Sequence, residues 1–255
     1  MRNIIKQILI LAGLFLVETA SAQSVALLGD SNTWLGGDDC QNMKGWSYWF
    51  VKSYRPENCK SYARSGATWT CTAKTQCNIE ENIDKLGDNN VVYNQIQRLI
   101  ADKTAKPDII IIALGTNDLW FNRQHPYLFM PTKNDVSSKD FLNIEPNKLL
   151  TLEDCANFAV KTLRKHYPKA AIVFITPAAS THYTQAANTR FAQALEDLGN
   201  KLDVPTIRLD KTSPIDINKE KRKKNYTTDG THTSELGAKA HGTIISNALK
   251  SLLKE

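Results

Sequence analysis

The sequence has few of the features that mark membrane proteins and metalloproteins. After the first 22 of its 255 residues, no apolar run approaches the roughly 20 residues that a membrane-spanning helix needs. No cysteines form a CxxC pair and no histidines cluster, so no metal site is indicated. Internal repeats and linker-like stretches are also missing. A single domain is therefore the simplest organisation.

The excess of positive charge is concentrated in one short stretch of the chain. The chain carries 32 basic and 26 acidic residues, a formal net charge of +6. Five basic residues and one acidic residue of that balance lie in the stretch KEKRKK, Lys219–Lys224, which alone contributes +4. The rest is almost neutral, so we expect no nucleic-acid partner, and the basic stretch is interpreted as a solvated loop.

The N-terminus has the order of features that is typical of a secretory signal peptide. Arg2 and Lys6 provide positive charge, Ile8–Val17 is apolar, and Ala20–Ala22 fits a small-residue cleavage site. We expect residues 1–22 to be removed near the Ala22–Gln23 bond. The mature protein is then secreted or periplasmic, and its oligomeric state is left open.

Cysteine is also sparse, with five residues in the chain. Export permits disulfide bonds. Cys155 falls on the apolar face of a predicted helix, which indicates a free thiol in the core. Cys40, Cys59, Cys71 and Cys77 could form two bridges, and the three connectivities stay open.

The remaining pattern alternates short apolar runs with amphipathic stretches. Such alternation predicts one α/β domain over residues 23–255 with a mostly parallel sheet. The predicted strands are Val25–Leu28, Cys59–Ala63, Ile109–Leu114, Ala171–Ile175 and Val204–Leu209. The predicted helices are Val91–Asp102, one around Cys155 that begins after Thr151, Ala187–Leu202 and Ser234–Leu253. An irregular insertion at 118–148 suits a lid or a disordered loop.

Polar turns follow the first three strands of this predicted sheet. They contain Ser31 in GDSNT, Gly66 in SGAT and Asn117 in GTND. Ligands of open parallel sheets bind beyond the carboxyl ends of the strands, so these three residues are expected to lie close together.

The residue types at this edge suit acyl transfer. Ser31 could be a nucleophile if a base removed its proton, and His232 with Asp229 three residues before it could be that base and its orienting partner. The N–H groups of Ser31 and Gly66 and the side-chain amide of Asn117 could bind an oxyanion. Taken singly, each residue could also be an ordinary turn or cap residue.

The blocks GDSNT, SGAT, GTND and DGTH, in this order, resemble those of the SGNH (GDSL-type) hydrolases. The resemblance implies a flavodoxin-like three-layer α/β/α fold, Ser31, His232 and Asp229 as catalytic residues, and an oxyanion hole of Ser31, Gly66 and Asn117. No metal or organic cofactor is implied. Asn32 departs from the pattern, where the name-giving motif has leucine. The GxSxG motif of the other large esterase fold is absent.

Three of the five tryptophans follow these turns at one spacing. Trp34, Trp69 and Trp120 each stand three positions after a residue of a polar turn. If the turns converge, the three rings could surround the nucleophile and stack on sugar rings or contact an acyl chain. Alternatively, and with equal weight, the three rings could pack the loops onto the sheet instead of contacting substrate.

Together these patterns predict a secreted serine esterase that removes short acyl groups, most plausibly acetyl, from a small-molecule or glycan ester. Three alternatives stay open. They are an acyltransferase between sugars, a lysophospholipase or thioesterase, and a non-catalytic carbohydrate-binding module on the same fold. The last ranks lowest because every catalytic residue type is present.

Overall fold

A computed structural model describes residues 23–79 and 90–253, so the predicted signal peptide 1–22 lies outside the described residues. Five strands form one fully parallel sheet in the order β2-β1-β3-β4-β5. The strands are β1 (Ser24–Gly29), β2 (Asn58–Ser61), β3 (Ile109–Ala113), β4 (Ala171–Ile175) and β5 (Thr206–Ile207). This strand order is that of flavodoxin-like doubly wound sheets, and it confirms the predicted fold class.

Helices cover both faces of the sheet because the strands β1, β3 and β4 are apolar on both sides. Their bounds are α1 (Ser31–Trp34), α2 (Trp46–Tyr54), α3 (Val92–Ala101), α4 (Thr116–Trp120), α5 (Leu152–His166), α6 (Gln185–Leu202), α7 (Leu209–Thr212), α8 (Ile217–Arg222) and α9 (Glu235–Leu252). Ile110 and Ile112 of β3 pack in the core with α3, α5 and α6, whereas Ile109 and Ile111 pack with α2 and α9. Successive side chains of a strand point to opposite faces, which produces these two cores. Among the described residues no helix has the length and apolar character to cross a membrane.

The predicted start of α5 is confirmed in its hydrogen bonds. The Thr151 hydroxyl accepts from the N–H of Asp154, and the Asp154 carboxylate accepts from the N–H of Thr151. This reciprocal capping box satisfies two backbone donors that an isolated helix would leave unpaired.

The insertion at 118–148 is packed rather than extended. It contains the end of α4 and three 3₁₀ turns, Asn122–Gln124, Lys139–Asn143 and Pro146–Lys148. Leu128 and Phe141 enter the core, while Tyr127 and Met130 stay about half exposed. The insertion is therefore anchored on the domain by its own apolar side chains.

The basic stretch also differs from the sequence interpretation. Ile217–Arg222 is helical, and Glu220 is buried, where its carboxylate accepts from the N–H groups of Asn225, Tyr226 and Thr227. The stretch is therefore a fixed helix, α8, and not merely a solvated loop.

All five cysteines are free thiols in the structure, and their positions bear on the connectivities that the sequence left open. The sulfurs of Cys40 and Cys59 are 3.3 Å apart, which makes this pair the favoured bridge among the connectivities left open. Cys155 is buried as expected, and burial together with a hydrogen bond to Cys71 raises the pKa of its thiol. Cys71 therefore contacts Cys155, which was expected to stand alone, whereas Cys77 is exposed. Disulfide formation itself stays a prediction.

Candidate active site

The site begins where β1 ends. Asp30 caps the short helix α1, its carboxylate accepting from the N–H of Asn32 at 3.0 Å, and this cap places Ser31 at the first helical position. The buried amide of Gln95 both accepts from the N–H and donates to the carbonyl of Gly29, each at 2.8 Å. Gln95 thus holds the backbone two residues before Ser31.

The last polar loop reaches Ser31 from the other end of the chain. The distance from His232 Nε2 to Ser31 Oγ is 2.9 Å, and the distance from His232 Nδ1 to Asp229 Oδ2 is 2.6 Å. The Asn32 side-chain oxygen accepts from the N–H of Thr233 at 3.0 Å. Asn32 therefore ties the turn that carries Ser31 to the loop that carries His232.

The carboxylate of Asp229 is held in its ionised form. Burial alone would raise its pKa, but hydrogen bonds from the His232 ring and from the N–H groups of His232 and Thr231 outweigh burial and lower the pKa. An ionised carboxylate at Nδ1 favours the tautomer that leaves Nε2 free to accept a proton from Ser31.

Three hydrogen-bond donors lie on the turns at this edge of the sheet. They are the N–H groups of Ser31 and Gly66 and the side-chain amide of Asn117. Gly66 has φ of +74°, in the left-handed region that favours glycine. Asn117 donates from Nδ2 to the Ala67 carbonyl at 2.9 Å, which leaves its second amide hydrogen available. Among the described residues, no protein acceptor pairs with the backbone N–H of Ser31 or Gly66.

A buried carboxylate that is not among the predicted site residues joins two of these turns. Asp118 is fully buried, and its oxygens accept from the N–H groups of Trp69 and Thr70 and from the Thr70 hydroxyl at 2.7–2.9 Å. The same hydroxyl lies 2.8 Å from Nδ1 of His125 in the insertion. The signal in the sequence was the carboxylate directly after Asn117, but its partners are 48 and 49 residues away.

The comparisons with known proteins agree with this geometry. The model of the GDSL-like Lipase/Acylhydrolase family matches residues 27–240. The chain belongs to this family. Comparison with curated proteins gave no match. Membership of the GDSL-like family supports an ester hydrolase, and it confirms the resemblance drawn from the four sequence blocks.

Solved structures show the same GDSL-like fold at low sequence identity. A candidate GDSL-like lipase from Bacteroides ovatus has a TM-score of 0.57 at 19% identity, covering 91% of this chain and 99% of that one. A candidate lipase from Chitinophaga pinensis has a TM-score of 0.57 at 20% identity, with coverages of 90% and 98%. An acetyl xylan esterase has a TM-score of 0.54 at 15% identity, with coverages of 90% and 99%. At these identities the likeness concerns the fold.

The tryptophans of this GDSL-like chain do not form one cluster. Trp34 and Trp120 end the one-turn helices α1 and α4, and both are partly exposed. Trp120 stacks on the ring of His182, with centroids 3.7 Å apart. Trp69 is fully buried and packs edge-on against Phe174 at 5.1 Å. The prediction that Trp69 contacts substrate is therefore wrong, because its ring is core.

Asp30 is a second buried carboxylate, next to Ser31 in the chain. It borders a cavity of about 40 Å³ that is also lined by Thr116, Tyr183 and His241. Burial raises the pKa of Asp30 to about 6, although hydrogen bonds from Thr116 and Asn32 lower it in part. No group of three or more His, Cys, Asp or Glu side chains in the described ranges could hold a metal ion.

We expect Asp30→Asn to stabilise the fold at neutral pH relative to the wild type. In the unfolded chain Asp30 ionises near pH 3.8, whereas in the fold it keeps its proton up to about pH 6. The wild type therefore loses stability as the pH rises from 4 to 6, by about 3 kcal/mol for this shift, and asparagine has no such loss. Urea unfolding at pH 4 and pH 7 measures the difference, with the exposed Asp140→Asn as control. A difference between Asp30→Asn and wild type that is the same at both pH values would contradict the expectation.

Proposed function

We propose that this GDSL-like hydrolase is an exported serine esterase that removes short acyl groups, acetyl above all, from carbohydrate esters. The observation that carries the proposal is the hydrogen-bonded series Ser31–His232–Asp229, with distances of 2.9 and 2.6 Å. It joins residues 201 positions apart in the chain, so it arises from the fold and not from local turn chemistry.

In the first step, Ser31 Oγ attacks the ester carbonyl carbon while its proton passes to Nε2 of His232. The C–O bond then breaks as the imidazolium returns that proton to the leaving alcohol, and an acyl-serine remains. Water, deprotonated by the same nitrogen, hydrolyses the acyl-serine. Asp229 stabilises the imidazolium in both halves of the reaction.

The developing oxyanion is bound by the donors at the edge of the sheet. The N–H groups of Ser31 and Gly66 and the second amide hydrogen of Asn117 are oriented by fixed elements, so little reorganisation accompanies charge development. Asp118 supports this arrangement, because it fixes the turn after Gly66 against α4.

A polar, short-chain substrate suits the surroundings of Ser31 better than a lipid. Leu128, in the insertion at 118–148, packs in the core and is therefore not available to line an acyl channel. Trp34 is partly exposed at the end of α1 and offers a ring to a sugar. One structural relative is an acetyl xylan esterase.

Export is proposed on the pattern of residues 1–22 alone. A positive N-terminus, an apolar run and a small-residue cleavage site stand there in the order of a signal peptide. Edman sequencing of the mature protein is expected to begin at or near Gln23.

A chain-length series tests the substrate class. We expect kcat/KM to be highest for acetyl esters and to fall for butyryl and octanoyl esters, because each methylene that a small site excludes costs about 1–3 kcal/mol. Trp34→Ala should raise KM several-fold on an acetylated oligosaccharide and much less on p-nitrophenyl acetate, and Trp49→Ala on α2 serves as the matched control.

A maximum of kcat/KM at octanoyl esters would contradict the carbohydrate esterase and indicate a lipid esterase. An acetyl maximum with Trp34→Ala unimpaired on the oligosaccharide would keep the esterase and reject the stacking role. Rapid acetyl transfer to a sugar with little hydrolysis would indicate the acyltransferase.

A further inference from the structure

We propose that an open groove beside the catalytic loops binds a carboxylated segment of the glycan, so that the substrate is an acidic polysaccharide ester. The inference rests on the proposed function and deepens it. The groove has a volume of about 870 Å³. Its walls are residues 181–185, which follow β4, and residues 213–219 with Lys221, which follow β5.

The sheet topology places this groove on the same edge as the nucleophile. Ser31 follows β1, and β4 and β5 lie two and three strands away in the order β1-β3-β4-β5. Parallel strands present their carboxyl ends at one edge, and neighbouring strands are separated by about 4.8 Å. The groove therefore lies roughly 10–15 Å along the edge from Ser31. An oligosaccharide of a few sugars spans that distance, whereas a simple acetyl ester does not.

Direct contacts join the groove wall to the catalytic loops. The N–H of Thr181 donates to the carbonyl of Gly230 at 2.9 Å, between Asp229 and His232 in the chain. His182, the next residue of the wall, stacks on Trp120 of α4. The wall of the groove is thus in direct contact with the loop that carries His232 and with α4.

The chemistry of the lining suits a hydroxylated, negatively charged chain. Lys219 and Lys221 line the groove and are exposed. Among the described residues neither ammonium forms an ion pair with a carboxylate. The one acidic residue of the lining, Asp216, caps α8, where it accepts from the N–H groups of Asn218 and Lys219, and its single negative charge is outnumbered by the two lysines. The lining also contains hydroxyls and amides, the groups that bond to sugar hydroxyls, on Thr181, Thr184, Gln185, Ser213 and Asn218.

Helix α8 keeps the two lysines in place. Glu220, between them, is buried and accepts from three backbone N–H groups of residues 225–227, which anchors the helix. With Glu220 facing inward, Lys219 and Lys221 lie on its two flanks and are exposed, and both contribute to the lining of the groove. Lys223 and Lys224 belong to the same basic stretch and are exposed, but they do not line the groove. They form a natural control.

The experiment compares two double variants on two substrates of equal length. The substrates are an acetylated oligomer of galacturonic acid and an acetylated oligomer of xylose, each about six sugars long. For K219E/K221E we expect the ratio of kcat/KM, acidic over neutral, to fall on the order of 10-fold through KM. K223E/K224E carries the same change in net charge and should stay within about 2-fold of wild type. Raising the salt concentration should reduce the wild-type ratio.

If the ratio of kcat/KM fell equally in the two double variants, the effect would depend on net charge alone, and the proposal that the groove binds the glycan would be overturned. A wild-type ratio near one at low salt would also overturn it. The proposed function is checked separately with wild-type protein on p-nitrophenyl acetate, where no turnover would sink the esterase. In that case, calorimetry can still test whether the groove binds an acidic glycan, by comparing the affinity of the unacetylated galacturonate oligomer for wild type and for K219E/K221E. Equal affinities would refute binding in the groove.

Discussion

Ser31→Ala is expected to lower kcat for ester hydrolysis by on the order of 1,000-fold or more without unfolding the protein. The Ser31 hydroxyl lies 2.9 Å from His232 Nε2, and alanine removes the only atom that the proposed acyl-enzyme bond uses. Ser31 starts the one-turn helix α1, whose cap is the Asp30 carboxylate and not the serine hydroxyl. The fold should therefore keep its stability within about 1 kcal/mol, since one hydrogen bond is lost.

Steady-state kinetics on an acetyl ester and thermal unfolding measure the two effects. Ser251→Ala is the matched control, because Ser251 is exposed on α9 and its hydroxyl donates to the Asn247 carbonyl of the same helix. Combining Ser31→Ala with His232→Ala should cost little more than Ser31→Ala alone, because the two residues act as a unit. Near-normal turnover by Ser31→Ala would end the serine-esterase proposal, and additive losses would contradict the hydrogen-bonded unit.

Asn117→Ala is expected to lower kcat by about 100- to 1,000-fold with a much smaller change in KM. A donor to the oxyanion acts mainly in the transition state, so its loss appears in kcat. Asn117 also donates to the Ala67 carbonyl at 2.9 Å and so fixes the turn that carries the Gly66 N–H. Alanine therefore removes one oxyanion donor and loosens a second, which favours the upper part of that range.

The exposed Asn122, in the first 3₁₀ turn after α4, provides the control substitution Asn122→Ala, which should leave kcat within about 2-fold. Asn117→Asp separates the two functions of the side chain. Its carboxylate cannot donate to Ala67 and would repel an oxyanion, so its kcat should fall at least as far as that of Asn117→Ala. A change confined to KM in Asn117→Ala would make Asn117 a substrate-binding or turn residue instead.

Local patterns in the sequence were sufficient for most of the scaffold. The apolar runs of β1, β3 and β4 are buried on both faces, so their hydrophobicity alone marks them. The cap of α5 depends on residues three positions apart, Thr151 and Asp154, and is visible without tertiary structure. β5 was expected to span Val204–Leu209, but it has two residues in the structure. An edge strand pairs with a neighbour on one side only, so little pairing defines where it begins and ends.

The candidate catalytic residues were also predictable, since each lies in a block that follows a predicted strand or precedes a predicted helix. The sequence placed Ser31, His232, Asp229, Gly66 and Asn117 on neighbouring turns. Only the tertiary structure showed the distances that join Ser31 to the histidine loop.

Only the fold determined the contacts between residues that are far apart in the chain. Asp118 bonds to a turn 48 residues away, Gln95 holds Gly29 from a distance of 66 residues, and Asn32 reaches Thr233 across 201. A side chain's local spacing carries no information about such partners. Trp34 and Trp69 share one sequence spacing, yet one ring is partly exposed and the other is core. The sequence determines which residues follow each strand, whereas the packing of the loops determines which of their side chains face solvent, because burial depends on neighbours contributed by every layer of the domain.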